Sequence, residues 1–415
     1  MSALRAAAFP REPVRARALA GTACVFPDLA EYGHAVFGAD PVRLEAQAAD
    51  PLDRFRLVAP VFVPRRLAKL IDLAREPTYR DVELESVVGG FRSAMPVYVS
   101  AFGSTRTMSG DLGLAASRQA GVLGIPLVIG ENVMPVNGYG RLGGDAEGTL
   151  VGRIRAYAAH VPDGTGGVVV QQSTEDADAE VWNCAYSDPN VQGLLESGRV
   201  AFELKVGQGA KPGLGGMTVL DEVAAARLAG AFAIDRPFGS ANDMVLRSSS
   251  PGTFTEEILR QQVRLMRNNF PRARVWVKLP PARDVRAAAM AAWEAGADAV
   301  TVDGAEGGTG WAPLAFLQHV GLPLGECLRR IGEHPSCLLV SGRIWEGARA
   351  AKCLALGASA VGLGRAALIA LDADAEMGLI HLVECLALEL AMIVSALGKY
   401  HVAELSPEDV WLPGE

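Results

Sequence analysis

VWVKLPPARDVRAAAMAAWEAGADAVTVDGAEGGTG, residues 275–310, decides the fold. VWVKL (275–279) is a short apolar run followed by two prolines, which reads as a strand buried on both faces. Residues 283–295 are alanine-rich with apolar side chains at helical spacing. DAVTVD (298–303) is a second such strand, and the glycine-rich VDGAEGGTG (302–310) follows it at once. Strand, helix, strand and glycine loop in this order form one parallel strand–helix–strand unit.

Moving outward, the same alternation recurs. Apolar runs lie at 96–102, 125–130, 167–172, 200–206, 337–341 and 359–363, and 345–356 reads as another helix. With the two above there are eight runs, which predicts an α/β fold of the (β/α)8 TIM-barrel type. An open doubly wound sheet would need a glycine fingerprint directly after its first strand. The only G-x-G-x-x-G match, Gly138, Gly140 and Gly143, follows a loop and does not meet that requirement. The organisation expected is an N-terminal helical extension (1–90, with helices near 40–50 and 64–75), a barrel (91–375) and a C-terminal helical segment (376–415). The longest connection, 207–274, is expected to hold a glycine loop, a helix near 221–233 and a polar turn region at 236–253, and to cover the barrel mouth.

Bulk properties narrow the function classes. Half the 415 residues are hydrophobic, and the formal charge is −8 with no basic cluster, which argues against nucleic acid. Residues 378–398 are long and apolar, but His381, Glu384 and Glu389 favour a helix packed on the protein over a membrane span. Its apolar surface also suits a neighbouring subunit, and a homo-oligomer is expected. Cys24, Cys184, Cys327, Cys337, Cys353 and Cys385 include no metal-ligand pair. With no signal-like segment at the start, they fit buried thiols in a reducing cytoplasm, and no metal site is expected.

The strand ends carry the candidate chemistry. SGR (Ser341, Gly342, Arg343) and GLGR (Gly362, Leu363, Gly364, Arg365) close the last two runs, and each precedes a helical segment. Paired glycine turns after strands seven and eight, backed by helix N-termini and arginines, predict a phosphate site, although either alone would be an ordinary tight turn. Lys278 is a charge inside a buried strand and needs a partner there, unless it snorkels to solvent. ELKVGQGAKPGLGG (203–216) offers Glu203, Lys205 and Lys211 among five glycines. Glu203 and Lys205 leave one strand on the same face, either as a structural polar layer or with Lys205 in a catalytic role. IGEN places Glu131 at the mouth, as a working carboxylate or a solvated one.

These loops resemble the flavin domain of the glutamate synthase family over residues 60–371. The similar strings are AFGST (101–105), GEN (130–132), VGQGAKPGLGG (206–216), VKL (277–279), GAEGGTG (304–310) and GLGRAALIAL (362–371), with REPTYRDVELESVVGG (75–90) leading into the barrel. The resemblance implies an FMN barrel. Its cofactor set would be Ser100, Ala101, Gln171, Lys278, Asp303, Gly304, Gly308, Thr309, Gly310, Gly342, Arg343, Gly362, Gly364 and Arg365. It also implies hydride transfer between flavin and a 2-imino or 2-amino acid. Lys211 would hold the substrate carboxylate, Lys205 would be a second cation, and Glu131 would move protons or orient the amine. Amidotransferase or electron-donor partner subunits are implied if the family's division of labour is kept.

The departures point elsewhere. LDADAEMGLIHLVEC (371–385) offers only Cys385 where the family places three cluster-binding cysteines. Met217 stands for a glutamine, SPGTFTEE (250–257) lacks the family's two histidines, and the chain starts Met1–Ser2 and soon reaches the barrel, without a glutamine-hydrolysing domain. The alternatives are an FMN-barrel oxidase, dehydrogenase or isomerase acting on another small carboxylate-bearing substrate, and a barrel retained as a non-catalytic scaffold.

Overall fold

A computed structural model describes residues 50–102, 106–107, 110–130, 150–173, 181–228, 232–239, 242–307 and 312–412. Eight strands, β1 Val97–Phe102, β2 Leu127–Ile129, β3 Val168–Gln172, β4 Val200–Lys205, β5 Arg274–Leu279, β6 Ala299–Asp303, β7 Cys337–Ser341 and β8 Ala360–Leu363, form a closed barrel. Every neighbouring pair is parallel, including β8 with β1. All eight predicted runs are strands, with bounds agreeing to within two residues.

Residue size explains how the barrel fills. Val168, Val170, Phe202, Val275, Val277, Val300, Val302 and Val340 face outward into the main core beneath the surrounding helices. The alternate residues Tyr98, Val128, Val169, Ala201, Trp276, Ala299, Leu339 and Ala360 form a separate cluster inside. Ala201 and Ala299 on the two strands flanking Trp276, with Ala360 on β8 across the barrel, leave room for the indole. An eight-stranded barrel is just wide enough for side chains to fill it.

The N-terminal end of the barrel is plugged by a hairpin, Ser86–Val88 paired with Phe91–Ser93. Its two-residue turn is Gly89–Gly90, with φ of 58° and 90°, the primed geometry that glycine adopts without strain. Val88 and Phe91 enter the interior cluster. Trp276 Nε1 donates to the Gly89 carbonyl at 3.0 Å, and a Cβ on Gly89 would overlap the indole ring. The hairpin crosses residue 90, where the extension was expected to give way to the barrel.

Outside the strands lie α1 Gly113–Leu123, α2 Leu150–Ala158, α3 Val181–Ser187, α4 Glu256–Asn269, α5 Val285–Glu294, α6 Leu324–Ile331, α7 Gly347–Ala355, α8 Arg365–Ala373 and α9 Gly378–Ala396. The helix expected at 64–75 is Pro64–Leu73; that expected at 40–50 lies almost wholly outside the described residues. Arg56–Leu57 pairs antiparallel with Val410–Trp411, and the Glu83 backbone exchanges hydrogen bonds with Tyr400 and Val402 at 2.9 and 3.0 Å. The segment leading into the barrel and the tail after α9 thus hold each other.

Two expectations need correction. The polar turn region at 236–253 contains a strand, Met244–Ser248, which pairs with Met217–Asp221 and Ala233–Asp235 in an antiparallel sheet. Its apolar MVL is brief and flanked by polar residues, but cross-strand pairing satisfies its backbone. The thiols are not all buried either. Cys327 and Cys353 are, whereas Cys385 is exposed, because the outer helix α9 turns one face to solvent. By length and composition α9 could cross a membrane. Here it lies along α7 and α8, with Gly347 N donating to Glu389 Oε2 at 2.6 Å and Gly378 packed on the Ala370 carbonyl.

If Trp276 is the keystone between hairpin and barrel, Trp276→Ala should cost about 3–5 kcal/mol in denaturant unfolding. A loss of under about 1 kcal/mol would mean that hairpin and indole are independent.

Candidate active site at the C-terminal mouth of the barrel

Above the apolar interior, the period-two alternation brings polar residues inward. Glu203 on β4 accepts from Gln171 Nε2 on β3 at 2.5 Å and from Thr301 Oγ1 on β6 at 2.8 Å. Glu203 is therefore part of a structural polar layer. Burial pushes its carboxyl above the usual range, opposed by the positive charge of Lys278. Lys278 lies 3.0 Å from Asp303 Oδ2, with both side chains more than nine-tenths buried. Lys278 thus has its partner inside the barrel rather than snorkelling. Asp303 also accepts from Ser341 Oγ and from Gly209 N, the latter at 3.3 Å. A buried network of this kind is favourable only if its members are satisfied, and these hold one another across five strands, β3 to β7.

Two interior groups are left over. Ser100 Oγ and Tyr98 OH are buried and make no hydrogen bond. They crowd Gly362, where any Cβ would overlap Ser100 Oγ, so only glycine fits there. Ala101 packs beside the interior cluster.

The two glycine turns lie at the ends of β7 and β8. Gly342 and Arg343 have φ of 147° and 54°, which turns the backbone sharply after Ser341. Gly364 caps α8 without any side-chain hydrogen bond, and a Cβ there would meet nothing within 4 Å. An uncapped helix start beside open space suits an anion, because the first-turn amides have no intrahelical acceptor. Arg365 donates to the Glu306 carbonyl, which ties this turn to the loop after β6.

That loop carries a feature the sequence reading missed. Glu306 is buried beside Asp50 and Arg349. Arg349 Nη2 donates to Asp50 Oδ2 and, at 2.9 Å, to Glu306 Oε1, and its Nε donates to the Gly342 carbonyl at 3.0 Å. The start of α6 contributes Leu324 N to Glu306 at 3.1 Å and Gly325 N to Asp50 at 3.0 Å. Burial, then the hydrogen bond and charge of Asp50, push the Glu306 carboxyl up to about 8. Burial raises Asp50 as well, but its bond with Glu306 and the Arg349 charge outweigh this and hold it below the usual range. The pair thus shares a proton, carried by Glu306. Asp50 gave no sequence signal, since it is 299 residues from Arg349. A carboxylate in the glycine loop and an arginine among the alanines of α7 were the available hints.

On the other side of the mouth, Lys205 ends β4 in register with Lys278 on β5. It lines a cleft with Ser173, Gln208, Gly215, Gly216 and Ser250. Lys211 is only 2% exposed, folded into the glycine loop. Gly209 packs against the loop after β6, where a Cβ would come within 2.7 Å of the Gly304 carbonyl oxygen. Gly304 N in turn donates to Ser341 O at 2.8 Å. The structure therefore gathers Ser100, Gln171, Lys205, Lys278, Asp303, Gly304, Gly342, Arg343, Gly362, Gly364 and Arg365 at one end of the barrel. Glu131, Gly308, Thr309 and Gly310 lie outside the described residues, as do Gly138, Gly140 and Gly143.

The class of protein follows from this geometry. Over 96% of its length the chain superposes on 99% of a soluble mutant of the membrane-associated (S)-mandelate dehydrogenase from Pseudomonas putida, with a TM-score of 0.57 and 19% identity. It also superposes, over 92% of its length, on 81% of the flavin-binding domain of baker's yeast flavocytochrome b2, with a TM-score of 0.56 and 17% identity. These likenesses establish the fold. Residues 133–387 match the conserved region in glutamate synthase, and the chain belongs to that family. It is 33% identical over 186 residues to the archaeal-type glutamate synthase [NADPH] of Dehalococcoides mccartyi, and 37% identical over 183 residues to a glutamate synthase large subunit-like protein of Rhizobium meliloti. Those matches take in 43% and 41% of this chain but only 36% and 39% of the two relatives.

The Glu306 proton has a measurable consequence. The folded state keeps it up to about 8, whereas a carboxyl with the ordinary value of 4.5 releases it earlier on unfolding. Between those values the folded state binds more protons, so stability should fall as pH rises through the window. Glu306→Gln mimics the protonated form and should flatten that slope in unfolding curves between pH about 5 and about 8. Parallel slopes in the two proteins would assign the proton elsewhere.

Proposed function

We propose that the chain is an FMN-dependent oxidoreductase of glutamate synthase type, with the flavin phosphate at the turns after β7 and β8. The observation that carries this reading is the uncapped N-terminus of α8 at Gly364, open to the mouth and flanked by Gly342, Arg343 and Arg365. Backbone amides, a helix dipole and guanidinium groups match the chemistry of a phosphate monoester. The unpaired Ser100 and Tyr98 hydroxyls supply further polar groups, and Ala101, Gln171, Lys278, Asp303 and Gly304 complete the described part of the cofactor set. Gly308, Thr309 and Gly310 belong to the same proposed set. FMN, when bound, supplies hydride transfer to or from the carbon of a 2-imino or 2-amino acid.

The protein's own residues bind, orient and neutralise charge. Lys278 is a fixed cation, held at 3.0 Å by Asp303, that favours negative charge arising at the edge of a flavin ring. Lys205 faces the adjoining cleft, where it can hold a small carboxylate. Lys211 braces the loop that forms that cleft or is drawn toward the carboxylate. Glu131 is assigned to proton movement or to orienting the amine. Electron-donor or amidotransferase subunits, and association of like chains, belong to this proposal.

A second reading has specific support. Met217, next to Gly216 of the Lys205 cleft, stands where the family has a glutamine, and residues 371–385 offer a single cysteine. Both fit a flavin oxidase, dehydrogenase or isomerase acting on another small carboxylate-bearing substrate.

The purified protein should show flavin bands at about 370 and about 450 nm, and photoreduction should bleach the latter. Fast re-oxidation in air would favour the second reading, slow re-oxidation the first. Lys278→Met should lower the reduction potential of the bound flavin. A protein that stays colourless when FMN is added sinks both readings.

A further inference from the structure

Both arginines of the glycine turns already have acceptors. Arg365 donates to the Glu306 carbonyl, and Arg343 pairs with the Asp53 carboxylate, contributed by a short helix, Pro51–Arg54, 290 residues earlier in the chain. The second oxygen of Asp53 accepts from Arg349 Nη1 at 3.2 Å. Arg349 is 3% exposed and at the same time holds Asp50, Glu306 and the Gly342 carbonyl. One buried guanidinium therefore ties the Pro51–Arg54 segment to the loops after β6 and β7.

We propose that Asp53 is the resident anion of the phosphate cradle, and that a phosphate monoester displaces it from Arg343 while Arg349 keeps it nearby. This rests on the reading of the cradle as an FMN phosphate site. The pair is suited to exchange, because its side chains are 28% and 36% exposed and such pairs are weak. A phosphate bound by arginine and backbone amides together is a stronger partner. When Arg343 turns away, Asp53 retains its bond to Arg349, so no carboxylate is stranded. Asp50 is unsuited to the same exchange, since it is buried and also accepts from Leu52 N and Gly325 N. Arg349 is thus a positioning residue. It fixes the Gly342 turn and anchors the displaced anion.

The test uses the full chain freed of flavin, titrated with FMN and with riboflavin, which lacks the phosphate. Unfolding midpoints are measured in parallel. Asp53→Asn removes the competing charge and should tighten FMN binding by about threefold while leaving riboflavin unchanged, with no rise in the unfolding midpoint. Arg349→Met should weaken FMN by about tenfold or more, and riboflavin less, with partial recovery in Arg349→Lys. A purely structural Asp53 would instead give weaker FMN binding in Asp53→Asn, or equal changes for both flavins, and either result overturns the exchange alone. Binding of neither flavin by the unaltered protein overturns the FMN reading and the exchange with it.

Discussion

An eight-stranded barrel has room inside for side chains and little else, and this constraint governs the molecule. Any charge placed on an inward position must find its partner on another strand of the barrel, because water cannot serve it there. Glu203 finds Gln171 and Thr301, and Lys278 finds Asp303. Below them, three alanines make way for Trp276, whose indole nitrogen fastens the closing hairpin. The interior thus grades from an apolar plug to a polar layer to an open mouth. The mouth is the end that carries the two glycine turns and the start of α8.

The barrel was legible in the sequence because burial on both faces leaves nearly unbroken apolar runs, and all eight appear as strands. Lys278 was legible for the same reason, as a charge interrupting such a run. The glycine turns were legible because Gly362 and Gly342 answer local steric demands, crowding in one case and positive φ in the other. The knot around Arg349 was not, because it depends on Asp50 and Asp53, almost 300 residues away. Local patterns carry no trace of such a partner. The strand Met244–Ser248 was hidden for a milder version of the same reason, since its stability lies in pairing with Met217–Asp221.

The backbone contacts between loops explain why glycines cluster at the mouth. Gly209 and Gly307 bring the loops after β4 and β6 within van der Waals contact, and Gly304 donates to Ser341 at the end of β7. The side of the mouth facing Lys205 is therefore mechanically joined to the side carrying the glycine turns. A shift at Asp303, which takes bonds from Gly209, Ser341 and Lys278, would be felt on both sides.

That coupling makes the distribution of departures informative. Strings that resemble the family lie on both sides of the mouth: VGQGAKPGLGG in the connection after β4, GAEGGTG after β6 and GLGRAALIAL after β8. Two departures, Met217 and the loss of both histidines from 250–257, fall in that β4–β5 connection near the Lys205 cleft, while the single cysteine of 371–385 lies after β8. A cofactor's phosphate is the same whatever the substrate, so its cradle is constrained by backbone geometry that few residues can supply. The substrate side is constrained only by charge and volume, which many residues can supply. A barrel under the proposed function can therefore change what it acts on by altering the β4–β5 connection while the opposite loops stay fixed. In this chain the glycine string of that connection keeps the family's pattern, and the changes begin just beyond it, at Met217.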